Sequence, residues 1–393
     1  MIPFNKPYLT GKEMHYIYQA VYSGKISGNG LYTQKCQSYF EQTYGFKKAL
    51  LTTSCTDALE MCAILADVNA GDEVIVPSYT FVSTALAFAR QGAKIVFADS
   101  NPQNPNMDVA SIEPLITQRT KAIVPVHYAG IACPMNIIMQ LADKYHLLVI
   151  EDAAQAINSY FNEKALGSMG HLAAFSFHET KNINSGEGGM LAINDERFIK
   201  RAEIIWEKGT NRSQFYRGEI DKYSWVDIGS SFLPSEINAA YLYAQIEYIE
   251  IIQQKRIEVW NRYFKHLSSF AEEFQIALPF IPDYATNNGH MFYLVCRNLE
   301  QRNGLIKYLK ENDVLSVFHY LSLHTSPFYR SKHDGREMPQ SDKYTQCLLR
   351  LPMYFELTIN EVDFISDLIR QYLVETKRVH RKLRIPPKEF IYE

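Results

Sequence analysis

The sequence predicts an α/β protein: a large unit built on a mostly parallel sheet, followed by a smaller α+β unit. Three observations carry this. From Glu73 to Asp152 short apolar runs alternate with helical stretches, the rhythm of parallel strands joined by crossover helices that cover both sheet faces. From Glu196 the pattern becomes helical, with a long stretch from Pro234 to about Phe270. Past Pro279-Phe280-Ile281-Pro282 strand and helix signals mix again. The expected division is 1–245 for the large unit, 246–376 for the small one and 377–393 for a peripheral tail.

Length and composition set bounds. A chain of 393 residues is long enough for two domains with a sizeable core. A formal charge of −3 gives no long-range pull toward nucleic acid. The six cysteines lie without CxxC spacing, which argues against a metal site and a disulfide framework and fits a reducing cytoplasm. Met1-Ile2-Pro3-Phe4-Asn5 lacks the features of a signal peptide, and no apolar run is long enough for a membrane span.

Taken in order, Thr10-Gly11-Lys12-Glu13 reads as a capping box before a helix ending near Ser23-Gly24. Thr33 reads as the cap of a second helix running through Tyr44. Lys48 to Thr52 is a strand and Thr56 to Ala66 a helix. Strands then follow at 73–76, 94–98, 121–124 and 147–150, with helical segments at 82–90, 112–117 and 135–145. Ala173-Ala174-Phe175 reads as a buried strand, and 182–189 as a glycine-rich loop. In the small unit Met291 to Val295 is strand-like, and helices are expected at 301–310 and 360–373.

Chemistry concentrates at the strand ends, where α/β sheets bind ligands. Ser54-Cys55-Thr56-Asp57 lies between a strand and a helix, where free N–H groups and a hydroxyl make a phosphate cradle. Phe81, after Pro77-Ser78-Tyr79-Thr80, offers a ring face for stacking. Asp152 closes another strand, with Gln155 a short turn on; a carboxylate there could keep a pyridine nitrogen protonated. Lys181 stands in Ser176-Phe177-His178-Glu179-Thr180-Lys181-Asn182, just past a strand and beside Gly186, Gly188 and Gly189. It is a candidate Schiff-base lysine, with Ser176 as one more phosphate donor. Each residue alone has an ordinary explanation: an N-cap, a core aromatic, a capping aspartate, a surface lysine. As an ordered set on one α/β sheet they point to pyridoxal phosphate (PLP).

With these motifs the chain resembles the DegT/DnrJ/EryC1/StrS sugar aminotransferases up to about Leu373. The resemblance implies the type I PLP-dependent fold and a homodimer with shared active sites. It implies that Lys181 binds PLP, Asp152 pairs with the pyridine nitrogen and Gln155 meets the 3-hydroxyl side of the ring. Phe81 would stack on the ring, and Cys55, Thr56, Asp57 and Ser176 would hold the phosphate. Where many members have Gly-x-Asn-x-Arg, this chain has Ser231 and Leu233 at the Asn and Arg places; Ser231 is then the donor toward a partner's PLP phosphate.

Three stretches, 207–215, 221–225 and 227–233, resemble in particular the 4-aminotransferases that act on dTDP-4-keto-6-deoxyglucose in enterobacterial common antigen synthesis. The implied substrates are a nucleotide-linked keto sugar and L-glutamate. Tyr32, His178, Asn211, Arg212, His319 and Tyr320 are the candidates for contacting them. Amination at C3 and a PLP-bound regulatory protein without turnover stay open. A dehydratase of the same family would carry histidine in place of Lys181.

Overall fold

A computed structural model describes residues 1–383, with side chains as far as Lys377; residues 384–393 of the expected tail lie outside the described residues. The chain opens with α1 (Glu13–Tyr22) and α2 (Leu31–Tyr44). The Glu13 carboxylate reaches back to the N–H groups of Thr10 and Gly11, half of the expected capping box. Thr33 does not cap α2 but lies inside it. The cap comes from 203 to 206 residues away: the buried Glu236 carboxylate accepts from the N–H groups of Gly30, Tyr32 and Thr33.

The alternating part follows as β1 (Lys48–Thr52), α3 (Cys55–Leu65), β2 (Glu73–Pro77), α4 (Ser83–Arg90), β3 (Lys94–Ala98), β4 (Thr120–Ile123), α5 (Met135–Tyr145) and β5 (Leu148–Asp152). The helical segment expected at 112–117 is instead a pair of 3-10 turns, Val109–Ser111 and Glu113–Leu115, in a stretch too short and too close to Pro114 for an α-helix. A small hairpin of β6 (Tyr160–Phe161) and β7 (Lys164–Ala165) leads to β8 (Leu172–Ser176) and β9 (Gly189–Ile193). The seven-stranded sheet runs β1-β9-β8-β5-β4-β2-β3. All its pairings are parallel except those of β9, which runs antiparallel to β1 and β8. The expected α/β architecture is therefore the observed one. One core packs α2, α5 and α8 (Glu236–Ile246) on one face, and a second packs α3, α4 and α6 (Ile199–Trp206) on the other.

After the short α7 (Arg212–Tyr216), the single helical stretch expected from Pro234 is two helices, α8 and α9 (Ile249–Ser268), broken at Glu247-Tyr248. The small unit adds β10 (Tyr293–Val295), α10 (Leu299–Glu311), β11 (Val317–Phe318), α11 (Pro339–Cys347), β12 (Leu348–Arg350) and α12 (Ile359–Leu383). Its antiparallel sheet is ordered β10-β12-β11. Its core draws on Tyr263 of α9, Leu305 of α10 and Ile369 of α12. α12 extends past the expected end and takes in residues 377–383 of the expected tail.

The end of β5 is fixed by a buried network. Glu151 is fully buried; its carboxylate accepts from the N–H groups of Gly167, Met169 and Gly170 at 2.7, 2.8 and 2.5 Å. His127 Nδ1 accepts from the Cys133 N–H at 3.2 Å, which leaves Nε2 to donate to Glu151 at 2.9 Å. Removing the carboxylate strands these buried donors. Glu151→Ala should therefore lower unfolding stability by about 3–5 kcal/mol in urea titration; a loss below about 1 kcal/mol would show that the turn at 167–170 is held by other means.

Candidate active site

A cavity of about 530 Å³ opens beyond the carboxyl ends of the parallel strands. Asp152 and Lys181 both line it. Asp152 sits at the last position of β5, so strand alternation turns it away from the side on which Glu151 is buried. Its Oδ2 accepts from Thr84 Oγ1 at 2.6 Å and its Oδ1 from the Ala154 N–H at 3.1 Å. Burial pushes its carboxyl above the usual range, while these bonds and the charge of Lys181 work against the rise. Burial likewise pulls the Lys181 amine down to about 8, helped by the charge of Arg350 and opposed by the charge of Asp152. A lysine so shifted is neutral about a tenth of the time at pH 7, against less than a thousandth for an ordinary lysine.

The first N–H groups of α3, those of Cys55 and Thr56, have no intrahelical acceptor and open on the same cavity. Ser54 caps the helix by accepting from the Asp57 N–H at 3.1 Å. Gly189 lies against this turn so closely that a Cβ would stand 2.3 Å from the Ser54 carbonyl carbon. Thr56 Oγ1 meets Ser83 Oγ at 2.7 Å, and Ser176 faces the cavity from the end of β8. Burial holds the Cys55 thiol well above its ordinary value, so it stays protonated.

The walls come from both units. Phe81 is 55% exposed at the rim, its ring 5.9 Å from that of Tyr320. Gln155 Oε1 accepts from the Ala129 N–H at 2.6 Å, which turns its Nε2 toward the Tyr320 hydroxyl at 3.3 Å. His319 Nδ1 lies 3.0 Å from the Tyr128 hydroxyl, and burial pushes its pKa well down. His178 lines the cavity, its ring held by Thr180 at 3.0 Å.

The structure thus brings Cys55, Thr56, Phe81, Asp152, Gln155, Ser176, Lys181, His178, His319 and Tyr320 together. Asp57 is turned away: its carboxylate accepts from the hydroxyls of Thr53 and Ser54. Tyr32 is buried between helices, its hydroxyl donating to Gln19 at 2.5 Å. Asn211 and Arg212 stand apart as well, the first accepting from the Ser224 N–H and the second bonded to Tyr216. Ser231 is exposed, forms an isolated backbone bridge with the buried Glu207, and is not among the residues lining the cavity.

Sequence reasoning passed over Thr84, which orients Asp152, together with Thr80 and Ser83. Their spacing of i, i+3 and i+4 around Phe81 was the available signal, since it puts three hydroxyls on one face of a helical turn. It also passed over Arg350, a single charge inside the apolar run Leu348 to Leu351. Among the described residues no group of His, Cys, Asp and Glu is placed to hold a metal ion, and no helix is long and apolar enough to cross a membrane.

The model of the DegT/DnrJ/EryC1/StrS aminotransferase family matches residues 7–370. The chain belongs to this family. A similar protein is the spore coat polysaccharide biosynthesis protein SpsC of Bacillus subtilis, 29% identical over 378 residues that cover 94% of this chain and 96% of SpsC. Among solved structures, Spr1654 of Streptococcus pneumoniae in its PLP form is 25% identical, with a TM-score of 0.87 over 95% of this chain and 99% of its own. DesV of S. venezuelae is 25% identical, with a TM-score of 0.85 over 95% and 98% of the two chains.

Members of this aminotransferase family depend on PLP. The residues here fit that cofactor. The open N-terminus of α3 suits a phosphate, the buried Asp152 suits a protonated ring nitrogen, and the desolvated Lys181 suits its aldehyde. One consequence is measurable in the cofactor-free chain. The neutral amine is the nucleophile, so the rate of PLP capture should rise with pH through about 8 and level off above it. Stopped-flow absorbance reads this rate; a midpoint near the ordinary lysine value of about 10.4 would mean that the amine is not desolvated.

Proposed function

We propose that this chain transfers the amino group of L-glutamate to C4 of a dTDP-linked 4-keto-6-deoxyhexose, in the cytoplasm, as a step toward a surface polysaccharide. The observation that carries the reading is the pairing of Lys181 and Asp152 in one cavity at the mouth of the α3 phosphate cradle, in a chain of this aminotransferase family. The polysaccharide role named for SpsC and the likeness of stretches 207–215, 221–225 and 227–233 to dTDP-sugar 4-aminotransferases support the substrate class.

When bound, PLP supplies the electron sink for the carbon that carries the amine. Asp152 holds a negative charge against the ring nitrogen, and Thr84 keeps its carboxylate aimed. Lys181 Nζ, poised near 8, takes the proton from the donor's α-carbon and returns it on the other side of the transfer. The first N–H groups of α3, with Thr56 and Ser176, would bind the phosphate, and Gln155, its amide oxygen held by Ala129, would meet the 3-hydroxyl side of the ring. The keto sugar enters between Phe81 and the wall at His319 and Tyr320. Incubation with dTDP-4-keto-6-deoxyglucose and L-glutamate, followed by NMR, should show an amine at C4. An amine at C3, or no amino sugar, overturns the reading.

The same reading includes a homodimer that shares its sites. Its support is the exposed pad around Ser231, where Trp225 is 82% exposed beside Val226 and Ile228. If Ser231 donates to a partner's phosphate, Ser231→Ala should weaken PLP retention by about ten- to a hundredfold, from a charged hydrogen bond of roughly 1.5–3 kcal/mol. A mixed dimer with a Lys181→Ala chain locates the donor. Donation across the interface puts both lesions in one site and leaves the other site wild type, with full PLP affinity. Weakened affinity in the single active site shows that Ser231 serves its own chain.

A further inference from the structure

Lys181 stands in the loop 177–188 between β8 and β9, which contains no helix or strand, so its place depends on other anchors. Backbone bonds close part of the loop on itself: the Phe177 N–H donates to the Gly188 carbonyl and the Ser185 N–H to the Phe177 carbonyl, both at 2.8 Å. A further anchor is the side chain of the next residue, Asn182, which is buried together with Asn288 and His290. The Asn288 carbonyl can only accept, so the Asn182 atom 2.9 Å from it is the amide nitrogen, which also donates to Gln253 Oε1 at 3.2 Å. That leaves Asn182 Oδ1 facing His290 Nδ1 at 2.9 Å. An amide oxygen only accepts, so Nδ1 carries the ring proton and donates it.

The donor is itself fixed. The His290 N–H donates to Asn288 Oδ1 at 3.0 Å, and the His290 carbonyl accepts from the buried Arg256 guanidinium at 2.7 Å. Asn288 Nδ2 in turn donates to the carbonyls of Gln155 and Ile157 at 2.8 and 2.9 Å, in the turn that follows β5. Asn288 and His290 therefore tie the strand end that carries Asp152 and Gln155 to the loop that carries Lys181. Burial holds the His290 ring well below its ordinary value, and the charges of Lys181, Arg350 and Arg256 act in the same direction. A neutral ring brings no charge to the amine. What it offers is a donor in a fixed place.

We propose that His290 is a positioning residue: through Asn182 it holds Lys181 where the amine can reach the aldehyde of PLP. This rests on the reading of Lys181 as the lysine that PLP bonds. The lysine stem is flexible, so its amine reaches a fixed point often only if the backbone that carries it is held. The Asn182 amide is saturated by partners that are themselves anchored, so the peptide between Lys181 and Asn182 cannot turn without breaking buried bonds. A misplacement of about 1 Å between reacting groups can cost about a hundredfold in rate. His290 does not line the cavity, so it acts through Asn182 and not on a ligand.

The test uses the cofactor-free chain, with PLP capture followed by stopped-flow absorbance and pyridoxamine phosphate binding followed by calorimetry. Pyridoxamine phosphate has the ring and phosphate of PLP but no aldehyde, so it fills the site without bonding to Lys181. His290→Phe keeps a ring and removes the donor; it should slow PLP capture at the high-pH plateau by about tenfold. The midpoint should stay near 8, since no charge is lost, and the affinity for pyridoxamine phosphate should not change. His290→Asn places an N–H donor where Nδ1 stood and should bring the rate back to within about threefold of the wild type. The double variant His290→Phe with Asn182→Ala should be no slower than Asn182→Ala alone, because both lesions break one link. Unchanged capture in His290→Phe overturns the proposal. So does a parallel loss of pyridoxamine phosphate affinity, which would make His290 a support of the whole site, and so does a His290→Asn chain as slow as His290→Phe. If His290→Phe does not fold, Asn182→Ala decides: slowed capture with unchanged pyridoxamine phosphate affinity supports the link, and unchanged capture overturns it. A Lys181→Ala chain that still captures PLP sinks the reading of the lysine and this proposal with it. Loss of capture in Lys181→Ala beside an unchanged rate in His290→Phe sinks this proposal alone.

Discussion

The site depends on where β5 ends. Two neighbouring carboxylates close that strand, and alternation sends them to opposite sides of the sheet. Glu151 is consumed by structure: three backbone N–H groups of the 167–170 turn and His127 saturate it. Asp152 keeps only Thr84 and Ala154 as partners and so has capacity left for a ligand. The first arrangement makes the second possible. The strand end is tied to β4 through the Asp152 N–H to Pro125 and the His127 N–H to the Asp152 carbonyl, so the carboxylate cannot retreat from the cavity.

Desolvation then sets the chemistry. The same burial that raises Asp152 lowers Lys181, and each opposes the other's shift through its charge. His290 and His319 are pushed well down by burial and by nearby cations, so they stay neutral and add no positive charge. Arg350 is charged throughout, since no burial of this kind deprotonates a guanidinium. The cavity thus sets the titrating amine of Lys181 among two carboxylates, Asp152 and Glu187.

The sheet and most helices were legible because their signals are local. A run such as Glu73 to Val76 shows its strand, and the stretch 135–145 its helix, without help from distant residues. The site motifs were legible for the same reason: strand ends in an α/β sheet must converge. What was not legible depended on long-range partners. Thr33 looked like a cap because nothing near it indicates that Glu236 takes that role. The glycine-rich loop read at 182–189 ends where β9 begins, and the strand itself went unread, since its antiparallel place between β1 and β8 is a fact of topology alone. Tyr32 looked available for a sugar, but its hydroxyl is used by Gln19 inside the helical layer.

The two units meet along the site, and their contact sets its width. Ser78, one residue past β2, has its hydroxyl 2.7 Å from His324 Nδ1 and accepts at its carbonyl from the Leu323 N–H at 2.9 Å. Asp99, after β3, accepts from the N–H groups of Gln340 and Ser341. The Ser78 bonds hold the loop bearing Thr80 and Phe81 against the segment bearing His319 and Tyr320, two to five residues from these anchors in sequence. The division of labour follows from this geometry. The large unit supplies Asp152, Lys181, Cys55, Thr56 and Ser176 to the cavity, from strand ends and the turns beside them. The small unit supplies His319 and Tyr320, just past β11 of a sheet whose other face is its own core.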